Sequence, residues 1–186
     1  MPTLLFGIIY LFYPAMLTPY NHKLFLLLIF FYTCVIPLGS IYIMYKLGTL
    51  KSVRFDDKSS LLMPYVFISF FYLTITYLLK EQFKVNSSVL TIMAGFSLIF
   101  VLVTVINYFW KISGHSAAIM SVIGCLTALN IKLHLDTLLF PLIFLILSAG
   151  LLMSARLYLN IHNPRQILAG SVTGFLIGFT SVLFFV

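Results

Sequence analysis

Residues 89–110 read VLTIMAGFSLIFVLVTVINYFW, a run without one charged side chain. It is longer than the ~20 apolar residues that cross a bilayer as a helix. Backbone inside lipid has no water to bond with, so a segment like this satisfies its own N–H and C=O groups as an α-helix. A barrel strand would alternate apolar and polar residues, and this run does not. Comparable runs occupy 3–19, 24–46, 61–79, 115–131, 138–158 and 167–186. The expected fold is all-α: a polytopic transmembrane helical bundle of six to seven spans, with residues 1–186 forming a single integral membrane domain. The weakest member is 3–19, where Pro14 and Pro19 bracket a stretch that reads as a broken or re-entrant piece.

Composition points the same way. Of 186 residues, 62% are hydrophobic and 8% charged, whereas a soluble domain carries about a quarter charged residues. A water-soluble globular protein is excluded, because too few polar side chains remain to cover its surface. The net charge of +7 does not indicate nucleic acid, since the basic residues stand singly between apolar runs. Cys34 and Cys125 lie inside apolar stretches with no partner at metal-ligand spacing, so neither a metal nor a cofactor is expected. The amino terminus starts apolar with no basic flank, and its first segment is read as retained.

Counting crossings sorts the connectors. If every stretch from 61 onward spans once, 49–60, 111–114 and 156–166 emerge on one face, and 81–88 and 132–137 on the other. Lys111, Ser113, Gly114, His115, Arg156, His162 and Arg165 then share a face. In so sparse a chain, ionisable groups at membrane depth mark function. Ser113 suits the N-cap of the following helix, and Gly114 lets a ligand approach the free amides there, a site for an anion such as phosphate. Arg156 and His162 would stand about 9 Å apart along a continuous helix, close enough to reach one phosphate from two sides. The bland alternatives are an ordinary helix start, a snorkelling arginine and an interfacial histidine.

The two clusters together resemble the type 2 phosphatidic acid phosphatase family, which shares its pocket with the vanadium haloperoxidases. The family's Pro-Ser-Gly-His motif is matched by Ser113, Gly114 and His115, with Ile112 in place of Pro. Its Ser-Arg, five residues, His, three residues, Asp motif is matched by Arg156 and His162, with Ala155 between Ser154 and the arginine and Gln166 at the Asp position. The resemblance covers about 90–186. It implies a metal-independent lipid phosphate phosphatase in which His162 attacks phosphorus to form a phosphohistidine and His115 protonates the leaving group. Arg156, Ser113 and Gly114 would hold the phosphoryl oxygens. It also implies a lipid phosphate as partner within the membrane, such as phosphatidic acid, phosphatidylglycerol phosphate, a polyprenyl diphosphate or a lipid A phosphate. A bacterial cytoplasmic (inner) membrane with the site on its outer face is implied as well.

Two departures bear on activity. Gln166 can accept a hydrogen bond from the His162 ring, and so orient it, but supplies no negative charge. Asp56 or Asp57 is a candidate substitute. The family's first motif is not recognisable: Lys51 and Lys58 keep a spacing but lack its Arg-Pro, so Lys111 is the candidate for the missing cation, with Arg165 read as a solvated charge. The rival readings are a catalytically silent phospholipid-binding relative and a helical component for anion transport or packing. Basic residues on the two faces do not fix orientation once Lys111, Arg156 and Arg165 are set aside. Tyr108, Trp110 and Tyr158 read as interfacial aromatics. Gly170, Gly174 and Gly178 form a close-packing stripe, within the chain or across a homo-oligomer contact. His22 and His134 fall on the face away from the clusters.

Overall fold

The computed structural model describes residues 1–17, 21–48, 58–83, 85–134 and 136–185. Its helices are α1 (Pro2–Phe12), α2 (His22–Lys46), α3 (Lys58–Glu81), α4 (Ser87–Phe109), α5 (Gly114–Leu133), α6 (Leu139–Tyr158) and α7 (Pro164–Phe185). The described residues contain no strand. Helices α2 to α7, six among the described residues, are each long and apolar enough to cross a membrane, and the protein is an integral membrane protein.

Helix α1 resolves the open count. Its 11 residues extend about 16 Å, roughly half the hydrocarbon thickness. It lies antiparallel to the first half of α2, with Phe6 edge-on to Phe25 at 5.3 Å and Tyr10 edge-on to His22 at 5.5 Å. Thr3 Oγ1 meets Thr33 Oγ1 at 3.2 Å. Leu5, Phe6 and Ile9 are buried, so α1 fills the bundle without spanning it. A short 3₁₀ turn, Pro14–Leu17, follows.

Helix α2 carries a π turn over Phe31–Val35, in which the Ile36 N–H bonds back to the Phe31 carbonyl. The cause stands just beyond: Pro37 has no N–H and its ring crowds the carbonyl four residues earlier, at Thr33, and a widened turn absorbs both.

The centre of the bundle is the parallel pair α5 and α7. Gly174 packs on the backbone of Ala117 and Gly178 on that of Ser121, so a Cβ at either glycine would occupy the facing chain. The glycine stripe therefore works within the chain, where small residues let two backbones approach and gain dispersion contacts that lipid cannot replace. Helices α3 and α4 are joined by hydroxyl pairs, Ser69 with Thr104 and Thr76 with Ser97, both at 2.8 Å. Phe140, Phe144, Leu147 and Leu151 project from α6 into the surroundings, as a lipid-facing surface requires.

Packing fixes the polarity of the bundle. The starts of α3, α5 and α7, the end of α6 and the second half of α2 meet at one end. At the opposite end Tyr10 meets His22 edge-on, and Lys132 Nζ donates to the Leu183 carbonyl at 3.1 Å, a cation at a helix C-terminus. The breaks after α4 and α6 share an end, as the crossing count groups them; residues 49–57 of that grouping lie outside the described residues.

Candidate anion site at one end of the bundle

The site is built from two short breaks between helices. The first runs from Trp110 to Ser113. Asn107, fully buried in the last turns of α4, holds it: Nδ2 donates to the Val103 carbonyl at 2.8 Å, and Oδ1 accepts the Ile112 N–H at 3.0 Å. Ser113 then caps α5, its Oγ accepting the Ser116 N–H at 3.3 Å and pairing with the Ser116 hydroxyl at 2.8 Å. Gly114 and His115 form the first turn that follows.

The second break runs from Leu159 to Asn163. Asn160 closes α6 in the left-handed region at φ 52°, which its short side chain tolerates. Asn163 precedes Pro164 at the start of α7, and Gln166 Oε1 accepts the Asn163 N–H at 3.0 Å. This is the returning half of a capping box, with proline in the first helical position. The Ser113 N–H donates to the Gln166 carbonyl at 3.3 Å, which joins the two breaks.

Between them lies a cavity of about 320 Å3. Gly114, His115, Arg156 and His162 line one end, and the remaining walls come mostly from apolar side chains of α2 and α3 such as Leu38, Ile41 and Ile68. His115 is exposed within it and Arg156 is half-buried. His162 is 8% exposed, and neither ring nitrogen makes a well-formed hydrogen bond, although the Ile112 carbonyl is close enough to favour the protonated ring. Buried polar atoms are nearly always bonded, so an imidazole left open beside a cavity stands out. Burial, then the charges of Lys111 and Arg156, push the His162 pKa down to about 4, while the Ile112 carbonyl pulls the other way. The ring is neutral at neutral pH.

The sequence-derived residues divide as follows. The structure brings His115, Arg156, His162 and Gly114 to one cavity, with Lys111 near enough to act on His162 but outside the lining. Ser113 does cap α5; its hydroxyl is buried against Ser116 and the residue does not line the cavity. Gln166 has a local partner as well. Its carboxamide oxygen is turned to the Asn163 amide, and His162 receives no hydrogen bond from it. Arg165 is exposed on the first turn of α7. Lys51, Asp56 and Asp57 lie outside the described residues, as does the side chain of Lys58. Cys34 lines the cavity, and Cys125 is buried with its Sγ 3.3 Å from the Gly178 carbonyl.

Two residues of the site escaped sequence reasoning. Asn107 is an amide inside an otherwise apolar run, where a polar group in lipid needs a partner. Tyr65 lies in the first part of α3 and lines the cavity, its hydroxyl within hydrogen-bonding range of the Gly114 backbone and its ring within electrostatic reach of Arg156. The signal for Tyr65 was the crossing count, which puts that part of α3 on the face of His115 and His162.

Fold and site thus define a polytopic helical membrane protein with two histidines and an arginine facing one cavity at an end of the bundle. The family model of the PAP2 superfamily matches residues 105–186, the segment that carries both breaks. No curated protein and no solved structure matches the chain.

Proposed function

We propose that the protein is a lipid phosphatase that removes a phosphate monoester or diphosphate from a membrane lipid by way of a phosphohistidine. The observation that carries this reading is the open, neutral imidazole of His162 beside Arg156 and His115 in one cavity. Phosphoryl transfer needs in-line placement and neutralised charge more than covalent novelty. Arg156 offers a planar fork of donors for the phosphoryl oxygens. His162 attacks phosphorus with its ring lone pair as the P–O bond to the lipid breaks, and His115 passes a proton taken up from solvent to the departing oxygen. Neutral His115 then takes a proton from water, which attacks the phosphohistidine, releases phosphate and frees the His162 ring. The apolar walls beyond the polar end favour a lipid-borne phosphate over a soluble one.

A second reading, a silent phospholipid binder, is favoured by one observation: among the described residues no carboxylate acts on His162, and Gln166 is committed to capping α7. Phosphate release from a panel of lipid phosphates, with the purified protein in nanodiscs, separates the two. The phosphatase reading predicts release from at least one lipid and its loss in His162→Ala. Orthovanadate binding without turnover on any lipid selects the silent binder, and absence of both ends the anion-site reading.

A further inference from the structure

The hydroxyl that the sequence resemblance offers to a phosphoryl oxygen is that of Ser113, and here it is bonded to Ser116. The polar end of the cavity has another hydroxyl, from a helix outside residues 105–186. Tyr65 is 9% exposed and reaches across from α3 to α5. Its Cε1 and Cζ lie 2.8 and 2.9 Å from where a Cβ on residue 114 would stand, so the ring occupies the space that glycine leaves empty. The amide it approaches belongs to the first residue of α5 and has no acceptor within its own helix. A phenol oxygen can accept that N–H and still donate its own proton. The same cavity lining holds His115, Arg156 and His162, all able to meet an anion, and Arg156 acts electrostatically on Tyr65.

We propose that Tyr65 is an anion ligand of this site: its oxygen takes the Gly114 N–H, and its O–H is donated to a phosphoryl oxygen held by Arg156. The hydroxyl that Ser113 withdraws is thereby replaced from α3, and Gly114 is required as much for the tyrosine ring as for the ligand. This inference rests on the anion-site reading above. It extends the site to the amino-terminal half of the chain, which also supplies most of the apolar wall.

The test is orthovanadate titration of the purified full-length protein in nanodiscs, as wild type, Arg156→Ala and Tyr65→Phe, with thermal unfolding of each measured without ligand. A hydrogen bond to a charged oxygen corresponds to roughly a tenfold to hundredfold change in affinity. The expected result is binding by the wild type, none by Arg156→Ala, and binding weakened by that factor in Tyr65→Phe at an unchanged unfolding midpoint. Equal or tighter binding by Tyr65→Phe, with Arg156→Ala still inactive in binding, overturns the role of Tyr65 and leaves the anion site standing. No binding by the wild type overturns both. Should Tyr65→Phe not fold, 3-fluorotyrosine at position 65 of the otherwise unchanged protein supplies the readout. Its 19F resonance moves on adding vanadate if the O–H is a ligand, and a stationary resonance at vanadate saturation overturns the proposal.

Discussion

The Ser113 amide donates to the Gln166 carbonyl across 3.3 Å, and this bond ties the break that carries His115 to the break that carries His162. Two loops separated by α5 and α6 in sequence are thereby held in one register. The same contact follows from the packing beneath it, since Gly170 rests on the Ser113 carbonyl at the top of the α5–α7 seam. Site geometry and helix packing are one structure here, and substitutions in the seam should be read out at the site.

The seam itself is testable with glycines in contrasting surroundings. Gly174→Ala places a methyl group on the Ala117 backbone and should lower stability by about 1–3 kcal/mol, the range for overpacked cores. Gly150→Ala, in the middle of α6 with nothing nearby, should be neutral or stabilising by up to about 1 kcal/mol, because alanine favours the helix. Thermal unfolding of both variants in the same detergent checks the contrast.

Asn107 holds the first break through two hydrogen bonds and contributes nothing to the cavity lining. Asn107→Leu leaves the Ile112 N–H buried without an acceptor, at a cost of about 1–3 kcal/mol. Orthovanadate affinity should fall at temperatures where the variant remains folded, since the Gly114 amide and His115 follow that loop. Unchanged affinity in a destabilised protein would mean that the loop is fixed by other contacts.

Gln166 should affect α7 and not the His162 ring. Gln166→Ala removes the returning bond of the capping box and should lower stability by about 0.5–2 kcal/mol. The His162 pKa, followed by NMR of labelled histidine, should stay where it is. A clear movement of that pKa would place the carboxamide against the imidazole after all.

The pH dependence has a definite sign. His162 has a native pKa of about 4 against 6.5 for an unperturbed histidine, so the unfolded chain takes up the extra proton first. The contribution to stability is complete above about pH 6.5 and declines as pH falls from there toward 4. Unfolding midpoints measured between pH 7.5 and 4.5 should drop, and drop less in His162→Asn. Bound vanadate should raise the His162 pKa, because a nearby anion favours the charged ring.

How much of this was open to sequence reasoning depends on the kind of interaction. The spans were legible because lipid imposes length and apolarity on every helix that crosses it, and the 89–110 run shows both. Residues 3–19 were ambiguous because an apolar helix of half length, packed inside the bundle, has the composition of a span. His115, Arg156 and His162 could be grouped from spacing and crossing parity alone. The directions of Ser113 and Gln166 could not, since each has a local backbone partner, Ser116 and Asn163, that competes with a distant ligand and is closer. For Tyr65 the crossing count gives only its face: its approach to Gly114 is a contact between α3 and α5 with no sequence pattern of its own.

The measurement that bears most directly on the central claim is recovery of the protein-bound phosphoryl group. The protein in nanodiscs, supplied with the lipid phosphate it turns over best and quenched in alkali, should carry phosphohistidine at His162 by mass spectrometry, and Arg156→Ala should carry little. Phosphate release that persists in His162→Ala, or a phosphoryl group found on another residue, would contradict the account.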